Sequence, residues 1–106
     1  EAYQVSTAMC FTASRIAARK FGVLLGGSSG AALTVAVSKA FRLGKGKTVV
    51  AICPDRGEKY LDEFYDNDWM QEHKLPTDDN LDIFMRNAAH IRPFRYPATE
   101  KQAKVG

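Results

Sequence analysis

No apolar run in the 106 residues approaches the roughly 20 needed to cross a bilayer. Ser, Arg, Lys or Gly interrupts every such stretch, which excludes a membrane span from the expectation. Cysteine is scarce: Cys10 and Cys53 each sit in an apolar setting, and two buried free thiols, as in a reducing cytoplasm, are expected rather than a disulfide or a metal pair. The two histidines, His73 and His90, lie far apart with no Cys or His at ligand spacing, so no metal site is expected. An initiator methionine, a basic n-region and a secretory apolar core are missing as well. Because the chain opens at Glu1 inside an amphipathic pattern, its natural start is expected upstream.

What is present has the balance of a soluble globular chain, 45% hydrophobic and 25% charged, with a net charge of +3. The basic excess gathers between Arg86 and Lys104. Phe94 and Tyr96 beside Arg92 and Arg95 are too few for base stacking, so solvated surface is expected there and no nucleic-acid partner.

Residues 2–21 place Val5, Met9, Phe11, Thr12, Ile16 and Phe21 at near-helical spacing, with Arg15, Arg19 and Lys20 toward the end that the helix dipole makes negative. Gly22 stops that helix. Val23-Leu24-Leu25 is the simplest candidate for a short buried strand, and Gly26-Gly27-Ser28-Ser29-Gly30 turns into a second helix, which Ser28 or Ser29 can cap. Leu33, Val35, Val37, Phe41 and Leu43 give that helix an apolar face, and Gly44-Lys45-Gly46 ends it. Thr48-Val49-Val50-Ala51-Ile52-Cys53 reads as a strand covered on both faces of a parallel sheet.

Helix, strand, helix, strand with short turns is α/β order, and a right-handed crossover makes the two strands parallel. Two strands cannot stand alone, so further strands and helices must come from elsewhere. Between Tyr60 and His73, Tyr60, Leu61, Phe64, Tyr65, Trp69 and Met70 form an aromatic face expected on one or two short helices. Leu81–Ala89 makes another, with Leu81, Phe84, Met85 and Ala88 inward. From His90 on, a surface-lying or disordered tail is expected.

The glycine-serine turn lacks the Lys-Ser/Thr ending of a P-loop and the spacing of a dinucleotide fingerprint. Ser28 has nothing nearby with the character of a base, so a nucleophilic serine is not expected. Alone, the turn reads either as structural or as a ligand cradle in which backbone N–H groups and a helix N-terminus face the ligand.

Two blocks change that weighting. Phe21-Gly22-Val23-Leu24-Leu25-Gly26-Gly27-Ser28-Ser29-Gly30-Ala31-Ala32 is followed, in order, by Val49-Val50-Ala51-Ile52-Cys53-Pro54-Asp55-Arg56-Gly57-Glu58-Lys59-Tyr60-Leu61. Together they resemble the C-terminal signature of the cysteine synthase and cystathionine β-synthase family, fold-type II pyridoxal phosphate enzymes, over residues 1–73. The resemblance implies the C-terminal part of a three-layer, tryptophan synthase β-like parallel sheet, incomplete in this chain. Residues 1–75 would be the end of the catalytic domain and 76–106 an extension.

The implied activity is β-replacement on serine or an O-activated serine through an aminoacrylate. The implied cofactor is pyridoxal 5'-phosphate. Small amino acids would be the substrates, and the full protein would be a cytoplasmic homodimer. In that family the first serine of the turn, here Ser28, hydrogen-bonds the pyridine nitrogen; Gly26 and Gly27 let the backbone approach the ring, Ser29 caps the helix, and Pro54 and Asp55 lie at the cofactor end of a strand. The family's Schiff-base lysine, asparagine loop and phosphate loop have no counterpart here. No lysine of this chain is assigned as catalytic, and the chain is expected to be inactive without the upstream part, attached or separate.

Arg56, where cysteine synthases commonly carry serine, resembles the diaminopropionate-type, siderophore branch, and Asp66-Asn67-Asp68-Trp69-Met70 resembles both that branch and cystathionine β-synthase. Arg56 reads equally as an anion-binding fork for substrate and as a surface ion pair with Glu58 or Asp55. A non-catalytic α/β interaction or phosphate-binding module is the alternative to the enzyme.

Overall fold

The structure is a computed structural model and describes residues 2–93. It contains helices α1 (Thr7–Phe21), α2 (Gly27–Leu43), α3 (Asn67–Glu72) and α4 (Leu81–Ala89), with a 3-10 turn at Glu58–Tyr60. Ser6 starts α1 by accepting the Met9 N–H on its hydroxyl at 3.2 Å, which sets the beginning later than the amphipathic pattern does. Gly22 ends it in the left-handed region at φ 70°, its N–H and that of Val23 donating to the carbonyls of Ala18 and Ala17. Asn80 caps α4 in the same manner as Ser6, through the Ile83 N–H at 3.0 Å.

Apolar residues three and four apart on α1 and α4 meet in one core: Ala13, Ile16, Phe84 and Ala88 are buried, with Met9, Leu33, Val37, Leu81 and Met85 packed around them. The inward face expected for Leu81–Ala89 is the one observed. A second nucleus lies at the other side of α1. Phe11 stacks on Phe64 at 4.5 Å between centroids and receives the edge of Trp69 at 5.9 Å, while Phe64 and Met70 are wholly enclosed.

Arg15 joins this nucleus to the loops. It is only 3% exposed, and its guanidinium donates to Asp79 Oδ1 at 2.9 Å, the Phe64 carbonyl at 2.8 Å and Asn67 Oδ1 at 2.5 Å. Its partner Asp79 is 2% exposed; Oδ2 has no hydrogen bond, only an ionic contact with Arg19 at 3.3 Å. Arg15 is therefore a buried hub and not one of a set of solvated helix-end cations.

No strand forms among the described residues, so the α/β expectation is not met in the chain as it stands. Thr48–Cys53 has no regular structure, and Val50 and Ile52 are 82% and 83% exposed. The physical reason is pairing: a strand exists only against neighbours, and no described backbone segment runs alongside this one. Val23–Leu25 and Thr48–Cys53 do not run as a parallel pair either. Instead Leu25 and Arg56 form an isolated antiparallel bridge, with the Gly57 N–H on the Leu24 carbonyl at 3.2 Å and the Gly26 N–H on the Asp55 carbonyl at 3.4 Å.

The thiols differ from expectation too. Cys53 is exposed and Cys10 half-buried, and burial pushes the Cys10 thiol pKa up against a hydrogen bond from the backbone. No described helix is long and apolar enough to cross a membrane. The basic tail from residue 94 onward lies outside the described residues.

Candidate functional site

The glycine-serine turn and the Pro54–Arg56 segment are brought together at the start of α2. A helix leaves its first N–H groups without internal partners, and Gly26, the residue before α2, has no side chain to satisfy them. Neither Ser28 nor Ser29 is the cap, since both lie inside the first turn. Asp55 does this work from 26 positions away: its Oδ1 accepts the Ser29 N–H at 3.1 Å. The Ser29 hydroxyl lies 2.5 Å from the same oxygen and 2.9 Å from the Asp55 carbonyl, and accepts the Asp55 N–H at 3.3 Å.

Close packing explains the glycines. A Cβ on Gly26 would come within 2.0 Å of Asp55 Oδ2, and one on Gly30 within 2.0 Å of the Cys10 carbonyl and 2.6 Å of Ser14 Oγ. The Ser14 hydroxyl donates to the Gly26 carbonyl at 2.9 Å, fixing the turn from the α1 side. Tyr65 holds the residue before it: its hydroxyl donates to the Leu25 carbonyl at 2.5 Å and accepts the Leu25 N–H at 3.1 Å. Burial raises the pKa of this phenol, against the hydrogen bonds to Leu25 and Ser14.

Within this frame Ser29 is fully buried and Ser28 is exposed, with no side-chain hydrogen bond among the described residues. The turn thus presents one neutral hydroxyl, able to donate and to accept, at the end of a 17-residue helix. Gly27 precedes Ser28 in the chain, and Pro54, next to Asp55, is exposed. Arg56 is also exposed and pairs with Glu58 at 3.1 Å, one of the two partners its position suggested. Among the described residues no three His, Cys, Asp or Glu side chains come together as a metal site.

Beside the turn, α2 and residues 49–52 enclose an apolar trough of about 830 Å³ lined by Val5, Ala31, Val35, Val49 and Ile52 among others. Sequence reasoning brought forward Gly26, Gly27, Ser28, Pro54, Asp55 and Arg56 but missed the contributions of Ser14 and Tyr65 and the pairing of Ser29 with Asp55. These are long-range contacts between residues of ordinary composition. The one sequence signal for them was the recurrence of both blocks together.

Comparison with known proteins finds relatives named cysteine synthase and cystathionine β-synthase. The chain is 56% identical over 48 residues to a cysteine synthase of Staphylococcus aureus, a match covering 45% of this chain and 16% of that protein. It is 40% identical over 78 residues to a putative cysteine synthase of Sinorhizobium fredii, covering 71% and 22% respectively. A cystathionine β-synthase of Saccharomyces cerevisiae is 41% identical over 66 residues, covering 59% and 13%. No family model matches the chain. These similarities support the cysteine synthase and cystathionine β-synthase family over the part of the chain that aligns, and the chain spans less than a quarter of each of these three relatives.

Proposed function

We propose that the chain is the C-terminal part of a pyridoxal phosphate-dependent enzyme that replaces the β-substituent of serine or an O-activated serine. The observation that carries this reading is the exposed Ser28 hydroxyl, left free by a turn whose other hydroxyl, that of Ser29, is paired with Asp55, in a chain similar to cysteine synthases. The residues fit one edge of the cofactor. Ser28 would meet the pyridine nitrogen, with Gly26, Gly27 and Pro54 forming the wall beside it and the Asp55 carboxylate behind that wall, turned to Gly26 and Ser29. When bound, pyridoxal phosphate supplies an electron sink that labilises the β-substituent of an attached amino acid.

What this chain adds is electrostatic restraint. A serine hydroxyl hydrogen-bonds the nitrogen without delivering a full proton, so the sink is kept weak and departure of the β-group is favoured. The cofactor phosphate is not held at this helix end, because the Asp55 carboxylate already occupies the N-terminus of α2 where an anion would bind. That same carboxylate weighs against the phosphate-binding module as an alternative.

The Schiff-base lysine and the phosphate loop come from the remainder of the enzyme, covalently joined or separate, and the apolar trough beside residues 49–52 is where its strands would complete the sheet. The whole enzyme is a cytoplasmic homodimer acting on small amino acids. Arg56, a fork of donors at the rim, suits an anionic co-substrate of the diaminopropionate-precursor type once released from Glu58.

The test is spectroscopic and kinetic. The complete enzyme should show a Schiff-base absorbance band that changes on adding serine or O-activated serine, and Ser28→Asp should suppress β-replacement. Absence of the band, or unchanged turnover in Ser28→Asp, refutes the proposal.

A further inference from the structure

We infer that Asp55 is a positioning residue, which acts on the Ser28 hydroxyl by clipping the first turn of α2 through Ser29. The inference rests on the reading that Ser28 meets the cofactor ring, and adds how Ser28 is aimed.

Where the Ser28 hydroxyl lies is decided by the rotation and depth of the first turn of α2. That turn has no cap of its own, since Gly26 precedes it. Its orientation is fixed instead by Ser29, which is wholly buried and makes both its backbone and its side-chain hydrogen bonds to Asp55. Asp55 is itself held: its carbonyl accepts the Gly26 N–H at 3.4 Å, and on the far side of Arg56 the Gly57 N–H reaches the Leu24 carbonyl at 3.2 Å. Pro54 restricts the backbone leading into it.

The carboxylate fills the space a Cβ of Gly26 would need, so the side chain faces the turn's backbone and its Oδ1 is directed at Ser29. The consequence is a division of labour between neighbouring serines. Ser29 receives the clip, and Ser28, one residue earlier on the same turn, is left exposed at a fixed place. A negative charge at the helix N-terminus also offsets the partial positive charge there.

Two measurements on the complete protein test this. In the cofactor-free form, amide hydrogen exchange of Ser29 should accelerate about tenfold in Asp55→Ala, as for loss of a hydrogen bond to a charged group, and much less in Asp55→Asn, which keeps an acceptor. Unchanged exchange in Asp55→Ala overturns the clip whatever the cofactor does. In the loaded form, Asp55→Ala and Ser28→Ala should each weaken pyridoxal phosphate retention, read from the absorbance band, Asp55→Asn should restore most of it, and the double variant should be no worse than Ser28→Ala alone. Fully additive losses overturn the positioning role while leaving Ser28 as a cofactor contact. If Ser28→Ala retains the cofactor as tightly as the parent, the Ser28 reading fails, and the positioning role fails with it, even where the exchange result shows the clip.

Discussion

Replacing Arg15 with Met should be among the most damaging single changes in this chain. The guanidinium is 3% exposed and satisfies Asp79, the Phe64 carbonyl and Asn67 simultaneously. Without it the Asp79 carboxylate, 2% exposed, keeps only the contact with Arg19, whose own side chain is 60% exposed and contributes little. Removing one member of a buried ion pair costs about 3–5 kcal/mol. Against a total stability of about 5–15 kcal/mol this is a large fraction.

At about 4–8 °C per kcal/mol for a domain of this size, the melting temperature should fall by roughly 12–40 °C. Trp69 is the chain's single tryptophan and touches Phe11 in the same nucleus, so urea titration followed by its fluorescence reads the event directly. Changing Asp79 to Leu together with Arg15→Met removes the stranded charge, and the double variant should regain about 1–2 kcal/mol over Arg15→Met alone. A loss under about 1 kcal/mol in Arg15→Met, or full additivity in the double variant, would refute the hub.

Gly30→Ala should be badly tolerated despite the good helix propensity of alanine, because its Cβ would lie 2.0 Å from the Cys10 carbonyl, a backbone atom that cannot step aside. A melting temperature within a few degrees of the parent's would show that α1 and α2 are free to separate there. Tyr65 gives a pH signature. Its phenol pKa is raised on folding, so its contribution to stability is full below the ordinary value of about 10 and is lost as pH rises through the folded value. Tyr65→Phe should cost about 1 kcal/mol at neutral pH, from the lost Leu25 bonds, and should flatten the alkaline fall in stability. An unchanged alkaline slope would rule out Tyr65 as its source.

Periodicity and turn chemistry made the helices readable, because they are local: Gly22 and Gly44 end α1 and α2, and the inward stripe of Leu81, Phe84, Met85 and Ala88 is that of α4. The aromatic residues of 60–73 were legible as a core face for the same reason. Arg15 was not, since grouping it with Arg19 and Lys20 as cations favoured by the dipole gave it a sufficient explanation, although it lies in the middle of α1 and only those two are in the last turn, and nothing local reveals a carboxylate 64 residues away. The two blocks told that the glycine-serine turn and Pro54-Asp55 belong together, but not that Ser29 takes the bond and Ser28 the exposure. Thr48–Cys53 carried the composition of a strand, but no described segment pairs with it. Composition states what a segment suits, and pairing decides whether it is realised.

The overlap between a Cβ at Gly26 and the carboxylate of Asp55 sets a rule for engineering. A turn with a larger residue at position 26 would push the Asp55 carboxylate aside, and the displaced side chain could no longer accept the Ser29 N–H. The unit of transplantation is therefore the pair of segments, 26–30 with 54–57, because a graft that brings a side chain to position 26 and keeps Asp55 loses the bonds that tie the two together.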